Sequence, residues 1–385
     1  MPNSFSELRA GVIGSGFIGP VHIEALKRLG VQVVALCGSK NAHRVAERFG
    51  IPKVYTNYDA EALIHDCDVD VVHITSPNRY HAESSLASLK AGKHVVCEKP
   101  LAMTSRETGS IKRLVAKRKK QIFAVNYNLR FYPAVLQMRQ MVQRGDLGEI
   151  IHVNGSYFQD WLLKDTDYNW RLLPEEGGPL RAVADIGTHW VDAVSFVMGR
   201  RVKRVFAHTD AFHKTRRRPL GEVKTFSKST KGQRYANYRV ATEDFASILL
   251  DYDGGAHGNV AVSQVAAGRK NSLKIEIYGS DCSVSFDSER PNELAVGDRD
   301  RGDRWLSRGR VGFAEDVAPY IDYPPGHNEG FPDTFKMLYR AVYGDIVEGQ
   351  SGSCLYATAD DGHYEVKFCE SVVASAKRRQ WVSIR

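Results

Sequence analysis

The chain is poor in several features, and each shortage removes a class of function. Its six cysteines, Cys37, Cys67, Cys97, Cys282, Cys354 and Cys369, contain no C-x-x-C pair. Neither a zinc knuckle nor a disulfide framework is expected, and the thiols read as free core residues of a reducing compartment. No run approaches ~20 consecutive apolar residues, which argues against a membrane span. The opening MPNSFSELRA has no basic segment followed by an apolar stretch, so no secretory signal is expected and the protein reads as cytoplasmic. There is no H-E-x-x-H, no G-x-S-x-G elbow and no Walker loop. Zinc-hydrolase, α/β-hydrolase and P-loop chemistry are therefore disfavoured, and no metal is expected. Internal repeats and low-complexity tracts are also missing.

What remains is an ordinary soluble composition, 43% hydrophobic and 25% charged over 385 residues, long enough for two domains with a sizeable core. The formal net charge is +8, with basic clusters at 112–120 (KRLVAKRKK) and 214–218 (KTRRR). Neither cluster carries the interleaved aromatics of a nucleic-acid module. They read as a solvated helix face and a loop, and no nucleic-acid or membrane partner is expected. Positive charge also attracts a dinucleotide or a phosphorylated substrate.

The first ~125 residues alternate short apolar runs with helical patterns, the signature of βαβ units around a parallel sheet. Strands are expected at 10–14, 31–36, 69–75, 94–97 and 121–125, and helices at 17–29, 41–49 and 81–89. The character then changes. Strands are expected at 148–157, 245–250, 260–264, 273–278 and 283–286. Turn signals such as Asp253-Gly254-Gly255 and Gly279-Ser280-Asp281 fall among the later ones, so this sheet should be largely antiparallel. Segment 181–199 reads as a helix, and 331–347 and 356–377 as closing helices. Residues 208–241 and 290–330 are polar and irregular, long enough to suggest binding loops or oligomer arms. The fold class is therefore α/β: an N-terminal Rossmann-type dinucleotide-binding domain, 1–127, followed by an α+β domain, 128–385, on an open, largely antiparallel sheet.

Gly14-Ser-Gly16-Phe17-Ile18-Gly19 is a G-x-G-x-x-G that follows a strand and opens a helix, the context that gives this motif meaning. Gly14 permits a tight turn, Gly16 lets the backbone approach a pyrophosphate at the helix N-terminus, and Gly19 lets helix and strand pack closely. At the end of the second strand an acidic residue would bond the adenosine ribose. The chain has Cys37-Gly38-Ser39-Lys40 there, with Arg44 one turn on. Ser39, Lys40 and Arg44 suit a 2′-phosphate, which leans the reading toward NADP over NAD. The alternative is that Lys40 and Arg44 are solvated charges at a helix start.

Three further features follow in order: Glu98-Lys99-Pro100 after a buried strand, Trp170-Arg171, and Asp185-Ile-Gly-Thr-His189. Behind a dinucleotide turn they make a consistent dehydrogenase site. Removing a hydride from a carbinol carbon requires the hydroxyl proton to leave. A histidine, with an unperturbed pKa of about 6.5, suits that task. Lys99 can steady the developing oxyanion. Asp185 lies four residues before His189, one helical turn, so both face the same way. Asp185 either orients substrate or holds His189. A competing assignment makes Lys99 the base.

At this point the sequence resembles the glucose–fructose oxidoreductase / inositol dehydrogenase / rhizopine catabolism (Gfo/Idh/MocA) family over almost its whole length. The resemblance is carried by the glycine turn followed by His22, Thr75-Ser-Pro-Asn-Arg-Tyr-His81, Glu98-Lys-Pro-Leu101, Asn126–Pro133, Leu147-Gly-Glu-Ile150, the Asp185–His189 motif and Ala359-Asp-Asp-Gly362. Tyr157-Phe-Gln-Asp-Trp-Leu-Leu163 is similar to members acting on glycosides and anhydrosugars, the levoglucosan dehydrogenase branch. The resemblance implies an oligomer, a dimer or tetramer, formed through the open sheet. It also implies that Lys99 and His189 contact the reacting hydroxyl, with Asp185 beside them. Thr75, Ser76, Pro77, Asn78 and His81 should line the cofactor cleft, and Glu98 should approach the nicotinamide ribose. Asn126, Trp170 and Arg171 should reach the nicotinamide end. For the sugar, Tyr127, Arg130, Gln159, Asp160, Trp161 and His327 offer hydrogen bonds and flat apolar faces together.

Three function classes stay open on sequence alone. The favoured one is a sugar or polyol dehydrogenase. The second is a redox-assisted lyase or glycoside-cleaving enzyme using its cofactor transiently. The third is a non-enzymatic cofactor sensor, against which the joint presence of Lys99, Asp185 and His189 argues.

Overall fold

The computed structural model describes residues 4–220, 233–309, 312–349 and 355–385. The chain divides into two compact units, Met1–Asn128 with Phe331–Val366, and Leu129–Gly330 with Lys367–Arg385. The stretch 331–366, grouped by sequence with the second domain, thus belongs to the first unit.

The first unit is built on six strands, β1 (Arg9–Ile13), β2 (Gln32–Cys37), β3 (Lys53–Tyr55), β4 (Val71–Ile74), β5 (His94–Cys97) and β6 (Phe123–Val125). All are parallel and stand in the order β3-β2-β1-β4-β5-β6. β4 and β6 are buried throughout, as expected of strands covered on both faces, and this is why they read as continuous apolar runs. The connecting helices are α1 (Ile18–Arg28), α2 (Ala42–Phe49), α3 (Ala60–His65), α4 (His81–Lys90) and α5 (Ser105–Lys117). Strand order reverses direction between β1 and β4. In doubly wound sheets, ligands bind outside the carboxyl ends of the strands at such a switch point. The helix Phe331–Glu348 brings Phe335, Tyr339 and Tyr343 onto the rings of His22 in α1 and His73 in β4. The Ala357 carbonyl accepts the Val125 amide at 2.8 Å.

The second unit carries β7 (Ile150–Phe158), β8 (Val202–Asp210), β9 (Thr215–Pro219), β10 (Tyr235–Arg239), β11 (Phe245–Tyr252), β12 (His257–Ser263), β13 (Ser272–Gly279), β14 (Ser283–Asp287), β15 (Glu293–Gly297), β16 (Arg304–Ser307) and β17 (Val382–Ser383). Nine of them form one sheet in the order β16-β15-β14-β13-β7-β12-β11-β8-β17, and β9 and β10 form a separate ribbon. Within the nine, only the β7–β12 pair is parallel. Alternation in β11 buries Ala246, Ile248, Leu250 and Tyr252 on one face, the period-two pattern of a sheet with one packed side. The Trp190 indole lies against that sheet and donates to the Lys274 carbonyl at 2.7 Å. Gly155 makes room for it: a Cβ there would stand 2.3 Å from the indole nitrogen.

Several expectations need correction. Segments 208–241 and 290–330 are not irregular where they are described: they contain β9, β10, β15 and β16, with 221–232, 310 and 311 outside the described residues. The basic stretch 214–218 is largely strand β9, not a loop. Strand alternation turns Arg216 inward, where it is fully buried and bonds Asp244 at 2.8 Å and the Leu162 carbonyl at 2.8 Å. The stretch 112–120 does read out as an exposed helix end. Among the cysteines, Cys37 and Cys97 are core residues, Cys67 is exposed, and Cys282 and Cys369 are half-buried; Cys354 lies outside the described residues. Burial pushes the Cys37 thiol up to about 12. No helix among the described residues is long and apolar enough to cross a membrane.

Candidate active site

Parallel register carries the first set of candidates to one edge. Each strand's last carbonyl accepts the amide of the residue just past the end of its neighbour. Gly14 donates to Cys37 at 2.8 Å, Thr75 to Ile13 at 2.7 Å, Glu98 to Ile74 at 2.9 Å and Asn126 to Cys97 at 2.8 Å. Gly14, Thr75, Glu98 and Asn126 therefore stand side by side along the carboxyl edge of β1, β4, β5 and β6, spanning the switch point.

Gly14 and Gly19 are sterically constrained as the turn and the helix packing require, while Gly16 is open. Gly14 has φ 121°, and a Cβ there would lie 2.4 Å from Thr75 Oγ1. A Cβ on Gly19 would lie 2.0 Å from the Gly14 carbonyl oxygen, while one on Gly16 would meet nothing within 4 Å. Open space above Gly16 is compatible with the close approach of a pyrophosphate to the backbone. Thr75 Oγ1 braces the turn by donating to the Ile13 and Gly14 carbonyls at 2.9 and 3.1 Å. Phe17 is exposed and Ile18 half-buried at the helix mouth.

At the end of β2, Ser39 is half-buried and Lys40 and Arg44 are exposed. A feature the sequence did not reveal lies beside them. Asn57 and Tyr58 turn with φ 58° and 60°, and the Tyr58 amide donates to the Gly38 carbonyl at 3.2 Å. The next residue, Asp59, caps α3 through Ala62 at 3.0 Å and bears electrostatically on Cys37.

Ser76 and Pro77 are half-buried and Asn78 is buried at the start of the turn before α4. His81 is buried, with Nδ1 2.8 Å from the Pro100 carbonyl and Nε2 2.8 Å from the Ser76 carbonyl. It braces the loop after β4 against the loop after β5, and burial lowers its pKa. Glu98 is buried and accepts Asn126 Nδ2 at 2.5 Å, with His22 Nε2 at 3.1 Å. Its second oxygen accepts the Lys99 amide at 3.1 Å. Lys99 is half-buried and its peptide bond to Pro100 is cis. The Asn126 Oδ1 atom is buried with no hydrogen-bond partner among the described residues. An orphaned acceptor at that edge fits a ligand carrying a donor, as a nicotinamide carboxamide or a ribose hydroxyl does. The residues present thus fit a dinucleotide.

The second unit holds the other candidates. Asp185 lies in a wide π turn, Val183–Gly187, that runs directly into the helix Thr188–Met198 carrying His189. Such turns are rare and favour functional positions. The Glu243 carboxylate accepts the Arg181 and Val183 amides at 2.9 and 2.8 Å, fixing the start of this element. Asp185 is held from two sides, by Arg171 Nε at 3.2 Å and Gln264 Nε2 at 2.8 Å. His189 is buried, with the Tyr157 ring at 6.4 Å. Trp170 is half-buried with the Arg171 guanidinium 4.4 Å over its ring.

Among the sugar candidates, Gln159 and Trp161 are half-buried and locked together. Trp161 Nε1 donates to Gln159 Oε1 at 2.8 Å, and Gln159 Nε2 donates to Asn271 Oδ1 at 2.8 Å. Asp160 pairs with Lys270 at 2.6 Å. His327 is exposed in a loop pinned by buried Arg308, which donates to the Tyr323 carbonyl at 2.7 Å and also to that of His327. Two candidates are enclosed. Tyr127 is fully buried in the first unit's core, and buried Arg130 bonds Asp192 at 2.8 and 2.5 Å. The sequence missed Gln264, Asn271, Arg308 and His73. Each meets its partner across long sequence distance, and no local pattern marks such a pair.

Known proteins are similar to this chain over nearly its whole length. Residues 8–127 match the family model described as oxidoreductase family, NAD-binding Rossmann fold, and residues 135–285 match the GFO/IDH/MocA C-terminal domain. The chain is 30% identical over 397 aligned positions to levoglucosan dehydrogenase of Pseudarthrobacter phenanthrenivorans, covering 98% of each. A solved oxidoreductase domain protein from Kribbella flavida superposes with a TM-score of 0.88 at 30% identity, covering 98% of this chain and 99% of that one. Levoglucosan dehydrogenase in complex with NADH and levoglucosan superposes with a TM-score of 0.86 at 28% identity, with the same coverage.

Proposed function

This chain belongs to the Gfo/Idh/MocA family of oxidoreductases, and from that premise we propose that it moves a hydride between a ring hydroxyl of a sugar, glycoside or anhydrosugar and a nicotinamide cofactor, using side chains rather than a metal. The observation that carries this reading is the row of Gly14, Thr75, Glu98 and Asn126 along the carboxyl edge, with clear space over Gly16 and the orphaned Asn126 oxygen. When bound, the nicotinamide supplies the hydride acceptor. His189 takes the hydroxyl proton, and the Lys99 ammonium steadies the oxygen as charge develops on it. Asp185, clamped by Arg171 and Gln264, orients the sugar. Gln159 and Trp161 offer it a hydrogen-bonding edge beside a flat indole face, with Asp160 and His327 as further polar contacts. Tyr127 and Arg130, each enclosed in its own unit, act as framework rather than as sugar contacts.

The levoglucosan dehydrogenase likeness, which spans nearly the whole chain, favours a compact anhydrosugar or a glycoside. The related complex holds NADH. In this chain Ser39, Lys40 and Arg44 replace a carboxylate within the β2 end, and we read that end as accepting a 2′-phosphate, hence NADP as well as NAD. The test is a panel of sugars, glycosides and anhydrosugars assayed with each cofactor. Net accumulation of reduced cofactor with a ketosugar product is expected. Cleavage of the sugar with no net reduction would replace this reading with redox-assisted elimination. Lys40→Ala with Arg44→Ala should lower the NADP-to-NAD efficiency ratio about tenfold, the scale of one charged hydrogen bond lost. An unchanged ratio would remove the phosphate assignment.

A further inference from the structure

Behind Glu98 runs a line of buried polar groups that the proposed chemistry does not use. Tyr343 Oη lies 3.0 Å from His73 Nε2, His73 Nδ1 lies 3.0 Å from His22 Nδ1, and His22 Nε2 lies 3.1 Å from Glu98 Oε1. Tyr343, His73 and His22 are fully enclosed. The aromatic rings of Phe335 and Tyr339 pack around the two imidazoles.

Proton bookkeeping gives the line one direction. An ionised carboxylate only accepts, so His22 Nε2 carries a hydrogen and donates. In a neutral imidazole the other nitrogen then accepts, so His73 donates from Nδ1. His73 Nε2 must accept in turn, and the Tyr343 hydroxyl donates to it. Burial supports those states, since it pushes the His73 pKa well down and the Tyr343 pKa well up. Every member is thus satisfied in a single arrangement, each bond polarising the next toward the carboxylate. The carboxylate also accepts Asn126 Nδ2 on Oε1 and the Lys99 peptide on Oε2. Its orientation is therefore coupled to the backbone from which the Lys99 amine projects.

We propose that His22 and His73, with Tyr343 at the far end, are positioning residues: they hold Glu98 as an oriented carboxylate and, through its bond to the Lys99 peptide, set where the Lys99 amine stands. This rests on the proposed roles of Glu98 and Lys99. Neither histidine touches the cofactor or the sugar. Their work is to turn one buried carboxylate into a fixed point.

Two measurements test it. The first needs no turnover: imidazole ¹⁵N NMR of the full chain, with His22→Gln and His73→Gln assigning the two rings. His22 should be the Nε2–H tautomer and His73 the less common Nδ1–H tautomer. His73 found as Nε2–H would overturn the directed line. The second is NADH affinity and steady-state turnover. His22→Leu should weaken NADH binding and lower kcat/KM about 10- to 100-fold. His22→Gln, whose amide still donates to Glu98, should recover to within about fivefold, and Tyr343→Phe should lose only about threefold. In a Glu98→Gln background, His22→Leu should add less than about a twofold loss. Equal damage from Leu and Gln at matched melting temperature, or an undiminished loss in that background, would reduce the line to ordinary core structure. If wild type binds NADH but oxidises no sugar, the dehydrogenase reading fails while the tautomers and the NADH titration still decide this one.

Discussion

At the scale of single residues, the glycine turn gives the sharpest contrast. Gly19→Ala puts a methyl 2.0 Å from the Gly14 carbonyl oxygen, so backbone must move. A destabilisation of about 1–3 kcal/mol is expected, read as a lower melting temperature without any ligand. Gly16→Ala meets no atom within 4 Å. It should melt like wild type, yet bind NADH about tenfold more weakly, because the methyl occupies the pyrophosphate cradle. Equal melting losses in the two variants would contradict the division of roles. His189→Ala and Lys99→Ala should each lower kcat about 10²- to 10⁴-fold with little change in melting temperature, and near wild-type turnover in either would remove that residue from the chemistry. Legibility at this scale was uneven. Gly14 and Gly19 are readable because backbone geometry limits which residue type fits there, and Lys99, Asp185 and His189 stand out as candidates because few residue types do proton chemistry. Gln264, Asn271, Arg308 and His73 were not, since their meaning lies in partners far along the chain. Tyr127 and Arg130 read as ligand contacts in the sequence, where polar and aromatic side chains look alike whether they face a sugar or a core, and the structure encloses both.

Elements follow a similar division. The strands β1, β2, β4, β5 and β6 were legible as apolar runs because both sheet faces are covered. β3 does not stand out as a strand in the sequence, and α5 shows only through its basic end. β3 is three half-buried residues at an edge, and α5 buries only Thr108, Gly109 and Ile111. Its start is set by a capping box between Thr104 and Glu107, whose T-x-x-E spacing is the sequence signal for it. The ribbon β9–β10 reads as loop in the sequence because its inward residue is an arginine. Arg216 is buried there against Asp244, which also pairs with the fully buried Arg181. Glu243 beside it caps the turn that carries Asp185. Asp244→Ala strands two buried guanidinium groups, and about 3–5 kcal/mol of stability should be lost, measured by denaturant unfolding. A loss below about 1 kcal/mol would mean that water reaches those groups.

For the molecule as a whole, stability should depend on pH through buried imidazoles. Desolvation lowers the pKa of His73, His81 and His94. A proton therefore binds these groups more tightly in the unfolded chain. Their contribution is intact above the unfolded value of about 6.5 and is lost as pH falls toward the folded values, each group costing up to about 1.4 kcal/mol per pH unit. Glu243, whose pKa burial raises, works in the opposite direction. Calorimetry should show a melting temperature nearly constant between about pH 8 and 7 and falling between about pH 6.5 and 5. A flat profile across the lower range would mean that these rings are open to solvent. The broad plan, a parallel nucleotide-binding sheet and a largely antiparallel second sheet, was legible from periodicity. The return of residues 331–366 to the first unit was not, because an amphipathic helix does not announce which core it covers.

We propose that this chain moves hydride from a sugar carbon to nicotinamide with Lys99 and His189. A single-turnover reaction with a sugar carrying deuterium on every carbon tests it most directly. Wild type should yield one deuterium in the reduced cofactor and a slowed rate against unlabelled sugar, with transfer slowed at least about a hundredfold in both Lys99→Ala and His189→Ala. Label absent from the cofactor, or transferred equally fast by the variants, would contradict it.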